Sequence, residues 1–299
     1  MEKTKVKLNR KYELLIQKQD KNGMPLDEAY IVKNPITIKF SVVRSVYSGV
    51  SNMTIDIYNL APDTRNNMFK DWFYDVEKEN LLWIALNASY EGHGMTCIFM
   101  GDIWNAYSMR QGTDIITRIQ AVCGLRNMTQ NVNITLSAQS TTEDVCNACM
   151  GDLKSLKKGK WSVTDYTFTE PIALMGKPLA ILKQYNPDKN VFVDLDKVNI
   201  LGQDEAFVGY VPLINDASGL LAAPERKAST LIIKMLFEPE LLIGQVIEIN
   251  SKYAPQFDGQ YKIFGLRHEG IISDSIAGNC ITTIELNVGS ELYGNFKQV

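Results

Sequence analysis

Cys146-Asn147-Ala148-Cys149 has the Cys-x-x-Cys spacing used by zinc sites and dithiol redox centres, where one turn brings two sulfurs to a common atom or to each other. Zinc needs two further ligands, and the chain offers only His93, His268 and three other cysteines, with no second Cys-x-x-Cys pair. A redox pair needs its first thiol beside a positive charge. Cys146 instead follows Glu143 and Asp144, which hold the proton on a thiol. The pair therefore reads as two structural cysteines on one face of a helix. His93 lies in the turn sequence Glu91-Gly92-His93-Gly94, and His268 follows Leu266 and Arg267 in a strand-like run, so neither reads as a catalytic base. There is no Gly-x-Ser-x-Gly nucleophile elbow. Gly159-Lys160 and Gly176-Lys177 lack the earlier glycine of a phosphate loop.

Two carboxylates at a suitable separation would suffice for glycoside cleavage, and the chain has 34 acids to draw on. Asp188, Asp194, Asp196, Asp204 and Glu205 fall in turn-rich stretches, where solvated or turn-forming carboxylates lie. Asp194-Leu195-Asp196 suggests calcium, but no spaced ligand loop with a closing Glu follows it. No catalytic, metal-ligating or cofactor-binding residue is assigned, and no cofactor is expected.

Composition bounds the rest. The 299 residues are 45% apolar, enough for two or three cores. A net charge of −3 gives no global field for phosphates, so no nucleic-acid specificity is expected. The basic run Lys3, Lys5, Lys7, Arg10 and Lys11 alternates with Thr4, Val6, Leu8 and Asn9, as on the solvated face of an edge strand. No stretch approaches the ~20 apolar residues of a membrane span, and no apolar region follows the N-terminal charges, so neither insertion nor a signal peptide is expected and folding in a cytosol is. Five scattered cysteines fit reduced thiols, with Cys97 and Cys123 acting as small core residues.

The elements that must position all of this are mostly strands. Alternation predicts strands over about 11–16, 37–46, 53–60, 81–90, 96–103 and 114–122. Met53, Ile55 and Ile57 face one way and Thr54, Asp56 and Tyr58 the other. A short helix starts near Pro62 and runs through Met68 and Phe69. Thr141-Thr142-Glu143-Asp144 starts a helix to about Leu153, and Pro178 opens another over 177–185. A strand is expected over 160–169 and a hairpin over 190–196 and 198–201. The last third predicts strands over 230–237, 246–249, 261–266 and 282–288. Pro239 and Gly244 punctuate the loop after Phe237, and Asp258-Gly259 is expected as a tight hairpin turn. The fold class is mainly β with a smaller α+β part.

Two stretches carry a resemblance. Asp56-Ile57-Tyr58-Asn59-Leu60 before a helix, with Phe99-Met100-Gly101-Asp102-Ile103 later, is similar to the N-terminal barrel of phage baseplate hub proteins. The succession Gly219, Pro224, Phe237, Pro239, Gly244, Gly259 and Tyr261 through the last third resembles their C-terminal barrel. The resemblance implies two antiparallel, tube-like β-barrel domains, 1–134 and 206–299, flanking a small α+β lobe at 135–205. It also implies a structural part of a virion and no enzyme. In that family a homotrimer carrying two similar barrels per subunit makes a pseudo-sixfold ring. Such a ring adapts a hexameric tail tube to a trimeric central spike and holds surrounding baseplate wedge proteins, in a particle assembled in the bacterial host cytoplasm. The alternatives are a tail-tip cell-wall hydrolase and a distal tail ring protein of the same barrel fold. The same fold serves secretion spikes, where spike and hub are commonly one chain; ending at Val299 without β-helix repeats, this sequence leads us to expect a separate spike.

Overall fold

In the computed structural model, residues 7–20, 22–71, 81–128, 130–276, 278–287 and 296–299 are described. The first part of the chain gives β1 (Arg10–Gln19), β2 (Tyr30–Lys33), β3 (Ile38–Ser45), β4 (Asn52–Tyr58), helix α1 (Pro62–Asn67), β5 (Lys70–Asp71), β6 (Leu81–Tyr90), β7 (Thr96–Gln111) and β8 (Asp114–Val122). The middle gives α2 (Leu125–Met128), β9 (Val132–Leu136), α3 (Thr142–Asp152), β10 (Lys157–Trp161), β11 (Ile172–Gly176), α4 (Pro178–Tyr185), β12 (Lys189–Asp194) and β13 (Lys197–Gly202). The last part gives β14 (Glu205–Ala206), β15 (Leu213–Ile214), β16 (Glu225–Lys227), β17 (Thr230–Leu236), β18 (Val246–Ile249), β19 (Gly259–Ile272), β20 (Cys280–Asn287) and β21 (Lys297–Gln298).

The architecture is mainly β. The principal sheet runs β16-β17-β20-β19-β3-β4-β8-β7-β6-β1-β2, with neighbours antiparallel, and no pairing among the described residues closes it into a ring. The two halves meet in one ladder, β3 against β19, from Gly265 opposite Ser45 to Ile272 opposite Ile38. Alternation explains the register: Ile38, Phe40 and Val42 of β3 face inward, and so do Met53, Ile55 and Ile57 of β4 opposite them. Three buried clusters result. One is built on β1, β3, β4, β6, β7 and β8 and takes in Phe237, Ile272 and Cys280 from the last third. A second joins β17 to β20 with Phe192 and Leu201, and a third gathers Cys123, α3, α4, β12 and β13. The lobe holds the three-stranded order β10-β13-β12 and the pair β9-β11.

Several elements differ from the sequence expectation. β7 runs past Ile103 to Gln111, and β19 past Leu266 to Ile272. Each contains a register shift, between Ile103 and Asn105 and between Ile263 and Gly265, that lets a long strand bend and keep pairing. The strand expected over 160–169 is β10 and ends at Trp161, because the Thr164 amide turns to the Asn186 side chain and Thr167 keeps a single bridge to Thr141. Asp258-Gly259 is not a tight turn. Ile249 pairs with Gly259 across a loop over 250–258, in which Asp258 accepts the Ser251 amide and Gly259, at φ +145°, opens β19. α1 stops at Asn67 with Met68 as its cap, short of Phe69. The capped start of α3 is as read: Thr141 and Asp144 exchange hydrogen bonds between side chain and backbone. Lys3 and Lys5 of the N-terminal basic run, and Val288 at the end of the last expected strand, lie outside the described residues.

Candidate functional site at the seam between the two β units

Each motif position meets a definite local demand. Asn59 sits at φ +58°, where its Oδ1 accepts the Ile115 amide and its Nδ2 donates to Asp114, both at 2.9 Å. That places Leu60 in the first core. A Cβ on Gly101 would lie 2.7 Å from the Val122 carbonyl oxygen, so only glycine lets β7 cross the end of β8 this closely. Gly219, at φ +107°, lets its carbonyl take the Leu236 amide at 2.8 Å. Gly244, at φ +85°, bonds both Ile263 and Phe207 through its backbone. Pro224 and Pro239 are buried beside the ends of β16 and β17, and buried Tyr261 donates its hydroxyl to the Phe257 carbonyl at 3.0 Å. These residues do not converge on one point. They shape turns and crossings in both halves.

Phe237 reaches across the seam into the first core. Fully buried, it packs edge-on against Phe40 and His268, and its carbonyl accepts the Tyr90 hydroxyl at 2.9 Å. Elsewhere in the fold lie buried charged groups that the sequence reading missed. Arg44 of β3, fully buried, grips Asp194 of β12 with Nε and Nη2 and reaches the Leu241 carbonyl, so one guanidinium touches all three parts of the chain. Arg126 of α2 holds Asp102 of β7, donates Nη1 to the Asp20 carbonyl at 3.0 Å and borders a cavity of about 250 Å³ with Gln19, Trp83, Lys154 and Asp196. Lys262 of β19, 1% exposed, donates to the Gly202 carbonyl at 2.7 Å; burial pushes its amine down to about 8 against the pull of Glu205 and Asp204. A legible signal existed for two of these. Arg44 shares parity with Ile38, Phe40 and Val42, and Lys262 with Phe264 and Leu266, so each is a charge on the apolar face of a strand.

The chemistry candidates are placed differently. Cys146 and Cys149 are buried in the lobe, where burial raises both thiols, Cys149 to about 12. Burial thus outranks the acids invoked from sequence, and Asp144 is engaged in the helix cap. His93 lies in a turn remote in sequence and pairing from His268. Asp194 and Glu205 are not solvated turn acids as read: they are 8% and 5% exposed. Asp194 answers Arg44. Glu205 is pulled up by burial, but the Ser162 hydroxyl, the Gly202 amide and Lys189 outweigh that and hold it below the usual range. Asp196 pairs with Lys157, so the Asp194-Leu195-Asp196 hairpin spends both acids on cations of the chain. Among the described residues no group of three His, Cys, Asp or Glu is placed to hold a metal ion, and no helix is long and apolar enough to cross a membrane.

A family model described as baseplate hub gp41 matches residues 21–272, across the seam and both β units. The chain belongs to the baseplate hub gp41 family. Membership gives it a structural role at the hub of a phage tail. No curated protein sequence matches it. Among solved structures it is similar to the 43 kDa tail protein of prophage MuSo2 from Shewanella oneidensis, with TM-score 0.59 and 8% identity over 95% of this chain and 99% of that one. The tail protein from Neisseria meningitidis MC58 gives TM-score 0.59 and 7% identity at the same coverages. The E. coli c3393 protein, a component of the type VI secretion system, gives TM-score 0.55 and 9% identity over 88% of this chain and 77% of that one. At these identities the likeness is one of fold.

Proposed function

We propose that this hub protein works as a homotrimer whose two β units per subunit act as similar tube-like barrels, three copies making a pseudo-sixfold ring. The ring adapts a hexameric tail tube on one face to a trimeric central spike on the other, and its outer surface holds baseplate wedge proteins. The organisation behind it is a barrel over 1–134, a small α+β lobe over 135–205 and a second barrel over 206–299. The protein is assembled in the host cytoplasm, resides in the virion baseplate and catalyses no reaction.

The family match across both β units is the observation that carries this reading. The seam supports it, because a ring that transmits load between tube and spike needs its two units to move as one body. Here they share the β3–β19 ladder, and Arg44 of the first unit reaches the Leu241 carbonyl of the second. The exposed Tyr47, Val208, Tyr210 and Tyr253 supply apolar surface of the kind buried in obligate contacts, which run to roughly 2,000 Å² or more. Gold-labelled antibody against the chain, applied to whole particles, is expected to mark the tail tip by electron microscopy. Label on the head or along the tube would contradict the assignment.

A further inference from the structure

His268 stands in the middle of the ladder that joins the two halves, opposite Val42 on β3 and Thr282 on β20. Its ring is 0% exposed. Nδ1 lies 2.9 Å from Thr282 Oγ1, which also accepts the Glu238 amide at 2.9 Å, while Nε2 is buried without a hydrogen-bond partner. Phe237 covers the ring edge-on at 5.7 Å.

That setting suits a neutral imidazole. An imidazolium has two donors and needs two acceptors, and the folded site offers one. A buried cation without a partner is costly, so a proton on this ring favours states in which the ring reaches water. The charged groups on the surrounding elements do not relieve it. β3 contributes Arg44, a cation that opposes a second one, and Asp194 of β12 is already bound by that guanidinium. Glu238, after β17, turns its carboxylate to Lys7 at 3.1 Å. Burial and then Arg44 hold the ring down to about 3, well under the ordinary 6.5.

We propose that His268 makes the seam acid-sensitive: protonation drives β3 and β19 apart and uncouples the two β units. The β3 side is the side that yields, because it carries the repelling Arg44, whereas the β20 side holds the ring through Thr282. The population of opened seam rises with acidification below pH 6.5, approaching tenfold for each pH unit, until the folded value is reached.

The chain has two histidines, so a His93→Gln background leaves His268 as the only imidazole. Ring NMR in that background is expected to show a neutral imidazole in the folded protein down to pH 5. Hydrogen exchange, corrected for intrinsic rate, is expected to quicken about 15-fold between pH 6.5 and 5 in 38–45 and 265–272, with 189–202 unchanged, and His268→Phe is expected to abolish the effect. Should His268→Phe not fold, the ring titration and the exchange map of the His93→Gln protein decide alone. An imidazole titrating near 6.5 in the closed fold, an acid response spread evenly over the chain, or one that persists in His268→Phe would each overturn the proposal.

Discussion

The Arg44 guanidinium and the Asp194 carboxylate form a two-pronged pair, Nε to Oδ1 at 2.8 Å and Nη2 to Oδ2 at 2.6 Å, that ties the seam strand β3 to the lobe strand β12. Both partners are buried, so removing one strands the other as an uncompensated charge. Asp194→Asn or Arg44→Met is therefore expected to destabilise the fold by roughly 3–5 kcal/mol, whereas the double replacement by Met and Leu recovers most of that loss. Urea unfolding of the two single variants and the double gives the coupling. Single variants within about 0.5 kcal/mol of wild type would show the pair to be dispensable.

Gly101 gives a steric prediction. Gly101→Ala sets a methyl against the Val122 and Cys123 backbone, at 2.7 to 2.9 Å, where β7 cannot withdraw without losing its ladder. A cost of about 1–3 kcal/mol is expected, against almost none for Gly94→Ala, whose site is open. Thermal unfolding of the two variants distinguishes them.

Lys262 gives a pH signature. Its folded value of about 8 lies below the ordinary 10.5, so between those values the unfolded chain binds more protons and stability attributable to Lys262 rises with pH. Measured as wild type minus Lys262→Met, the difference is expected to move in favour of wild type by roughly 2–3 kcal/mol from pH 8 to 10.5. Referencing to the variant cancels the buried cysteines, whose raised thiols pull the other way. A flat difference would mean that the amine is solvated.

Cysteine reactivity should be low throughout. Cys123, Cys146, Cys149 and Cys280 are buried, and half-buried Cys97 is pushed up to about 11 by burial. A maleimide at neutral pH is expected to modify the native chain slowly, at Cys97 first, and all five sites at once after urea. Fast labelling of Cys146 or Cys149 in the native chain would reopen the functional reading of that pair.

Local alternation made most strands legible, since Met53, Ile55 and Ile57 or Leu231, Ile233 and Met235 need only a period of two to declare a buried face. Caps and prolines did the same for α3 and α4. β2 was missed because four residues after a turn-rich stretch carry too little pattern, and β9 with β11 because their pairing joins segments far apart in the chain. The loop at 250–258 was misread as a tight turn because Asp-Gly is a turn signal only when its flanking strands begin there. Phe237 was singled out as a motif position, but its place in the first core depends on the β3–β19 ladder, which no local pattern encodes. Arg44 and Lys262 escaped notice, and Asp194 was taken for a turn acid, for the same reason: the role of a charge on a buried strand face depends on a partner distant in sequence.

In the proposed assembly, three copies of this chain form a trimer that receives a spike. Native mass spectrometry of the purified chain, alone and mixed with the central spike protein of the same particle, tests that most directly. Three copies, alone or with a spike bound, is the predicted result. A six-copy ring indifferent to the spike would indicate a distal tail ring, and a monomer under both conditions would contradict the adaptor and make a cell-wall hydrolysis assay the next step.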